Sequence, residues 1–182
     1  MLLNGSKILR EVIALQINYK TRKYIIGENW KMEIYQASIE DLEGVSNLFN
    51  SYRMFYQQTS DLEGAKAYIK ERIENQESVI FIVKDKQKYV GFTQLYPTFS
   101  SISMERALIL NDLYVDGKAR KKGVGEMLLQ QSKEFAIETG AKSISLSTAL
   151  DNDAAQRLYE RNGYIRDSRF FHYELSFDLP IS

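Results

Sequence analysis

Apolar residues recur along this chain with two periods, and the switches between the periods mark out its elements. Residues 33–37 read as a strand. Ser38, with Asp41 three residues on, reads as the cap of a helix reaching residue 55. Ile39, Leu42, Val45, Leu48 and Phe49 fall three or four apart, so they share one helical face. Ser60 and Asp61 open a second helix carrying Ala65, Tyr68, Ile69 and Ile73 at similar spacing. Residues 79–83 are a continuous apolar run, as a buried strand requires, and 84–88 form a polar turn. A second strand follows over 89–99, in which Pro97 lacks the N–H of a ladder and predicts an edge or a bulge. Residues 107–115 make a third long strand.

From Val124 a helix runs to about residue 139, with Val124, Met127, Leu128 and Phe135 inward and Gly140 as its terminator. Ile144, Leu146 and Thr148 alternate with Ser143, Ser145 and Ser147, a period of two that predicts a strand. Residues 151–162 form a short helix with Ala154, Ala155, Leu158 and Tyr159 on one side, closed by Gly163, and 169–179 finish as a strand. A meander of strands followed by alternating helices and strands implies an α/β (α+β) fold, a mixed sheet with helices on both faces.

Composition sharpens this picture. With 182 residues, 44% hydrophobic and 26% charged, the chain suits one domain with a real core. Basic and acidic residues balance at 24 each, so no net field favours nucleic acid or an acidic membrane. The longest strongly apolar run, 79–83, is far short of the roughly 20 residues of a bilayer span. A cytoplasmic, soluble protein is expected. The first 31 residues carry six Lys and Arg against Glu11 and Glu28. They lack a secretory core and read as a basic extension, either a short helix over 6–18 or a stretch upstream of a start at Met32; the domain proper is expected over 32–179.

The absence of Cys removes disulfides and any thiol carrier of an acyl group. One His, His172, argues against a histidine-built metal site, so no metal is expected. No G-x-S-x-G elbow accompanies it. The strongest local signal is a strand ending at Leu113-Tyr114-Val115, then Arg120-Lys121-Lys122-Gly123-Val124-Gly125 at the start of a helix. The first amides of a helix have no backbone partner and carry partial positive charge, so such a loop is built for anions. The likeness stops short of the triphosphate loop, which needs G-x-x-x-x-G-K-[ST], and of the dinucleotide fingerprint, because Leu128 stands at its third glycine.

At these residues the chain resembles the GNAT superfamily of N-acetyltransferases. Arg120-x-x-Gly123-x-Gly125 matches the family's coenzyme A pyrophosphate loop. Asp151-Asn152-x-x-Ala155-x-x-Leu158-Tyr159-x-x-x-Gly163-Tyr164 matches a second motif at the expected distance. The resemblance implies a mostly antiparallel sheet of six to seven strands, splayed between strand 107–115 and strand 142–148. It implies acetyl-CoA as co-substrate, held by Leu113, Val115, Arg120, Lys121, Lys122, Gly123, Val124, Gly125, Asn152 and Tyr159. It implies direct transfer to an amine without a covalent acetyl-enzyme, with Tyr159 giving a proton to the leaving thiolate.

The base is less determined by sequence. Related enzymes often place Glu where this chain has Asn111, and an amide cannot accept a proton. Asp112 is the candidate, with Glu105, Tyr96 or a water chain as alternatives, and alternation along the strand leaves the direction of Asp112 open. Tyr52, Tyr56 and Tyr96 are either plain core or an aromatic wall for a cation. A primary amine on a small molecule is the expected acceptor. A protein lysine, a polyamine, and a non-catalytic acyl-CoA-binding module stand as alternatives, and a homodimer is an open possibility. Nucleic acid binding by Lys118 to Lys122 is disfavoured by the zero net charge.

Overall fold

The computed structural model describes residues 22–26 and 30–177. Six strands form one sheet in chain order: β1 Arg22–Ile26, β2 Trp30–Gln36, β3 Val79–Asp85, β4 Lys88–Ser100, β5 Glu105–Val115 and β6 Ile144–Ser145. β1 to β5 pair antiparallel with their neighbours, and β6 runs parallel to β5. The mixed, mostly antiparallel class expected from the sequence is what forms. β1 lies within the basic first 31 residues. The proposed helix over 6–18 falls outside the described residues.

Among the described residues four α-helices cover the sheet: α1 Leu42–Phe55, α2 Leu62–Glu74, α3 Val124–Glu138 and α4 Asp153–Arg161. α1 and α2 bury Val45, Leu48, Phe49, Ala65 and Ile69 against Ile80, Ile82 and Phe92. On the opposite face Val124, Met127, Leu128 and Leu129 of α3 meet Ile34, Phe81, Val83, Leu95, Leu108 and Leu110. The split follows from the pleat, since Ile80 and Ile82 point one way while Phe81 and Val83 point the other. That two-sided burial is why 79–83 reads as an unbroken apolar run. Each fully buried aliphatic or aromatic side chain here contributes about 1.5–3 kcal/mol.

Ser38 and Asp41 form a reciprocal capping box ahead of α1, through an intervening 3-10 turn. Pro97 sits inside β4 opposite Leu108, past Leu95, where pairing with β3 ends, so its missing N–H interrupts no ladder with β3.

Two expectations need correction. Residues 144–148 do not form a full strand: only Ile144 and Ser145 pair, with Leu108 and Ile109. Residues 169–177 form no strand, and Phe171, Tyr173, Leu175 and Phe177 stand in solvent. Their alternation is intact, but a strand exists only where a neighbour completes its hydrogen bonds. Residues 178–179 lie outside the described residues.

Candidate active site

The site is built around an irregularity in β5. Its register with β4 runs Gln94↔Asp112 and then Leu95↔Leu110, so Asn111 has no opposite residue. This is a β-bulge, one extra residue in one strand, and it reverses the alternation beyond it. Before the bulge Leu108 and Leu110 face α3; after it Leu113 and Val115 do. Tyr114 therefore packs on the α1 side, and Asp112 faces that side with it. Strict alternation from Leu110 would have buried the carboxylate among the aliphatic side chains of α3.

Asp112 is 4% exposed. Burial pushes its carboxyl above the usual aspartate range, and hydrogen bonds from Asn111 and Tyr52 only partly oppose that shift. The Asn111 amide lies 3.2 and 3.3 Å from the two carboxylate oxygens. Tyr52, on α1, sits against Phe92, Tyr56 and Tyr114 at centroid distances of 6.0, 5.1 and 6.4 Å. Burial and then the Asp112 charge raise the Tyr52 phenol, and burial raises Tyr96, whose hydroxyl lies 2.6 Å from that of Tyr68. These tyrosines share the carboxylate's surroundings. The signal for them in the sequence is the density of rings on one stretch of α1, at Tyr52, Phe55 and Tyr56.

Tyr159, on α4, is 9% exposed and packs on Tyr164 at 5.8 Å. Burial pushes its phenol up to about 12, with Tyr56 adding to the shift, and Tyr159 in turn acts on Tyr52. Asp112 and Tyr159 thus come to the same pair of tyrosines from different elements.

Between β5 and β6 the ladder stops at Ile109 and Ser145, so the edge of β5 from Leu110 to Val115 faces no strand on that side among the described residues. The strands part as the resemblance implied. At the far end of β5 the Val115 carbonyl accepts from Arg120 Nε at 3.2 Å, and the Arg120 guanidinium lies 5.6 Å from the Phe55 ring. Lys121 and Gly123 both take left-handed backbone, with φ of 61° and 80°. Gly123 is the N-cap of α3, and the position where a side chain would start is open for 4 Å around. The first intrahelical bond there is from Met127 N to Gly123 O at 3.0 Å, so the amides of Val124, Gly125 and Glu126 have no partner within the helix. Free amides, an open approach and neighbouring cations make a fitting seat for a diphosphate.

Gly125 has a packing role beside the one read in the sequence. A Cβ there would come within 2.8 Å of Leu158 Cδ2, so the bare backbone lets α4 close on α3. Asn152 caps α4, its side-chain oxygen accepting from Ala155 N at 3.2 Å. His172 is largely exposed and lies 3.7 Å from Asp167. Among the described residues no group of His, Asp and Glu is placed to hold a metal, and no helix is long and apolar enough to cross a membrane.

Known proteins share this architecture. The family model described as the acetyltransferase (GNAT) family matches residues 42–164. YhfO of Bacillus subtilis (strain 168), named as an uncharacterized N-acetyltransferase, is 52% identical over 145 residues, spanning 80% of this chain and 97% of its own length. The crystal structure of a probable acetyltransferase superposes with a TM-score of 0.76 at 40% identity, covering 81% of this chain and 99% of that one. The aminoglycoside N-acetyltransferase AAC(6')-Iy, solved in complex with CoA, shares the fold at a TM-score of 0.69 and 17% identity, over 83% of this chain and 99% of that one. The chain therefore belongs to the GNAT family and is an N-acetyltransferase.

Proposed function

We propose that this N-acetyltransferase moves acetyl from acetyl-CoA directly onto a primary amine of a small molecule, with Asp112 as the base. The observation that carries this reading is the buried carboxylate that the bulge turns toward the ring of tyrosines. Acetyl-CoA supplies an acetyl thioester, which an unprotonated amine attacks to form the C–N bond as the C–S bond breaks. The chain's residues divide the remaining tasks. Amides of Val124 and Gly125 hold the diphosphate, assisted by Arg120, Lys121, Lys122 and the open approach at Gly123. The unpaired edge of β5 offers Leu113 and Val115 backbone groups to the amides of the cofactor arm, and the Leu113 N–H supports the carbonyl oxygen. Asn152, at the cap of α4, is the remaining cofactor contact in this reading.

An alkylammonium has a pKa of ~10 and must lose its proton before attack. A carboxylate raised by burial is a better acceptor than one in water, because the proton it takes removes a costly buried charge. Tyr52, Tyr56 and Tyr96 present ring faces and phenol oxygens, a wall suited to a cation before it is deprotonated. Tyr159 acts on the departing sulfur. Outright transfer from a phenol near 12 to a thiolate of ~8.5 would cost about 5 kcal/mol, so Tyr159 gives a hydrogen bond to the developing charge while the sulfur takes the proton that the nitrogen sheds on becoming an amide.

The test is thiol release from acetyl-CoA across a panel of small primary amines, polyamines and lysine peptides. Turnover confined to small amines is the expected result. Turnover only on peptides would overturn the acceptor class, and coenzyme A binding with no turnover on any amine would leave a binding module instead.

A further inference from the structure

Gln94 lies wholly inside the protein on β4, yet one end of its amide is unpaired. Its Nε2 donates to Ser78 Oγ at 2.7 Å, and its Oε1 has no hydrogen-bond partner among the described residues. A buried amide oxygen without a donor is costly, and native folds hold few of them. The register shows what lies beside it. Gln94 is opposite Asp112 on β5 and opposite Ile80 on β3. All three point to the α1 side, with Phe92 two residues before Gln94 and Tyr114 two after Asp112 in the same layer. Directly opposite side chains on one face start about 4.5–5.5 Å apart at Cβ, within the span of a glutamine arm. Ser78, two residues before Ile80, ties the amide nitrogen on the β3 side. The oxygen is then the end of the amide free to meet a group on β5.

An ionised carboxylate offers that oxygen nothing, since both only accept; a protonated one carries an O–H. We infer that Gln94 is a positioning residue for the base: once Asp112 is protonated its O–H is donated to Gln94 Oε1, while Ser78 keeps the amide from turning its N–H toward the charge. The inference rests on Asp112 as the base. In the step concerned an N–H bond of the ammonium breaks and the nitrogen keeps the electron pair. The proton forms an O–H bond on the Asp112 carboxylate, and that O–H turns to Gln94. The buried oxygen thus gains its donor at the moment the buried charge disappears.

The other titratable and charged groups around this carboxyl are Tyr52 and Tyr56 on α1, Tyr68 and Arg72 on α2, Tyr96 on β4 and Tyr159 on α4. Burial raises the phenols of Tyr52, Tyr56, Tyr96 and Tyr159 above the ordinary tyrosine range, so they keep their protons where a carboxyl titrates. Arg72 is paired with Glu71 and Glu77, each at 2.6 Å, and lies over the Tyr68 ring at 4.7 Å. Two contacts therefore pull on Asp112 in opposite directions. Tyr52 is a donor and favours the charged carboxylate, whereas Gln94 Oε1 is an acceptor and favours the neutral acid.

Gln94→Met keeps the length of the arm and removes the acceptor. In the full chain, the NMR resonance of the Asp112 side-chain carboxyl, assigned by its loss in Asp112→Asn, reads proton affinity without any turnover. Gln94→Met is expected to hold that proton about three- to tenfold more weakly, as loss of one hydrogen bond does, and the rising limb of kcat/KM should move to lower pH by the same factor. Ser78→Ala, which frees the amide to turn its N–H to the carboxylate, is expected to move both in the same direction. Asp112→Asn gives Oε1 a permanent N–H donor, so its effect on the urea midpoint should be more favourable beside Gln94 than beside Met in the double variant. A carboxyl titration unmoved or shifted upward in Gln94→Met, or an equal effect of Asp112→Asn in both backgrounds, would overturn the inference and leave Asp112 standing as the base. A carboxyl titration that moves while the kcat/KM profile stays put would uphold the Gln94 contact and overturn Asp112 as the base.

Discussion

Two aspartates are buried to nearly the same degree on the same side of the sheet, and their surroundings push them in opposite directions. Asp41 is 6% exposed and Asp112 is 4% exposed. Asp41 receives Tyr35 Oη at 2.7 Å, Tyr89 Oη at 2.8 Å and Ser38 N at 3.0 Å, with Lys84 Nζ at 3.5 Å. Although burial opposes it, these donors and the nearby ammonium hold its carboxyl below the usual range. Asp112 has an adjacent amide at longer distance and one tyrosine, and its carboxyl is held above the usual range by burial. Burial alone therefore does not say what a carboxylate is for. A charge that is fully hydrogen-bonded ties elements together, whereas a charge left short of donors is ready to take a proton.

The strongest test of this contrast is a pair of matched substitutions. Asp112→Asn is expected to lower kcat by about 10²–10⁴ as loss of a general base does. Its urea unfolding should be unchanged or slightly more resistant, since a penalised charge has gone. Asp41→Asn should do the reverse, costing about 1.5–3 kcal/mol of stability while kcat on the folded fraction stays within a few-fold. Equal loss of activity in both variants would erase the distinction.

How much of this was legible in the sequence depends on where each property is decided. The cap at Ser38 and Asp41, the helix faces and the start of α3 after Gly123 are local, and they read correctly from spacing. The direction of Asp112 was undecidable because alternation counts residues and a bulge adds one. Nothing at Asn111 advertises it. Gly125 carried the pattern of a phosphate loop, but its contact with Leu158 belongs to a helix more than 30 residues on and could not be read locally. Residues 169–177 have a strand's period, but spacing does not say whether a neighbour completes the hydrogen bonds.

The pH dependence separates the two groups further. For Asp112 the folded pKa is raised, so the stability linked to its protonation is present at low pH and lost as pH rises through the folded value. Activity should climb over the same interval as the carboxylate forms, giving opposite slopes in kcat/KM and in unfolding free energy. For Asp41 the folded pKa is depressed; its contribution is present above ~3.9 and lost as pH falls through the folded value. Acid titration of the Asp41→Asn protein should lack that component.

The smallest effects fall on the tyrosines. Tyr89→Phe removes one donor from Asp41 and should cost about 1 kcal/mol of stability without moving the pH profile of activity. Tyr52→Phe removes a donor from Asp112, which should shift the activity profile to higher pH and change stability little. A shift in the profile from Tyr89→Phe would show that the two carboxylates are not insulated from each other, and none from Tyr52→Phe would show that Tyr52 does not act on Asp112.

The bulge at Asn111 also sets the kind of change this enzyme tolerates. Replacing the residue leaves the chain length of β5 intact, so an amino-acid scan would register position 111 as permissive. Removing it would join Leu110 directly to Asp112 and keep the pairs Leu95↔Leu110 and Gln94↔Asp112, so Asp112 would still face the tyrosines while Leu113 and Val115 still faced α3. A one-codon deletion there would then cost the Asn111 amide and the local twist but neither face of the strand, because the bulge absorbs one residue.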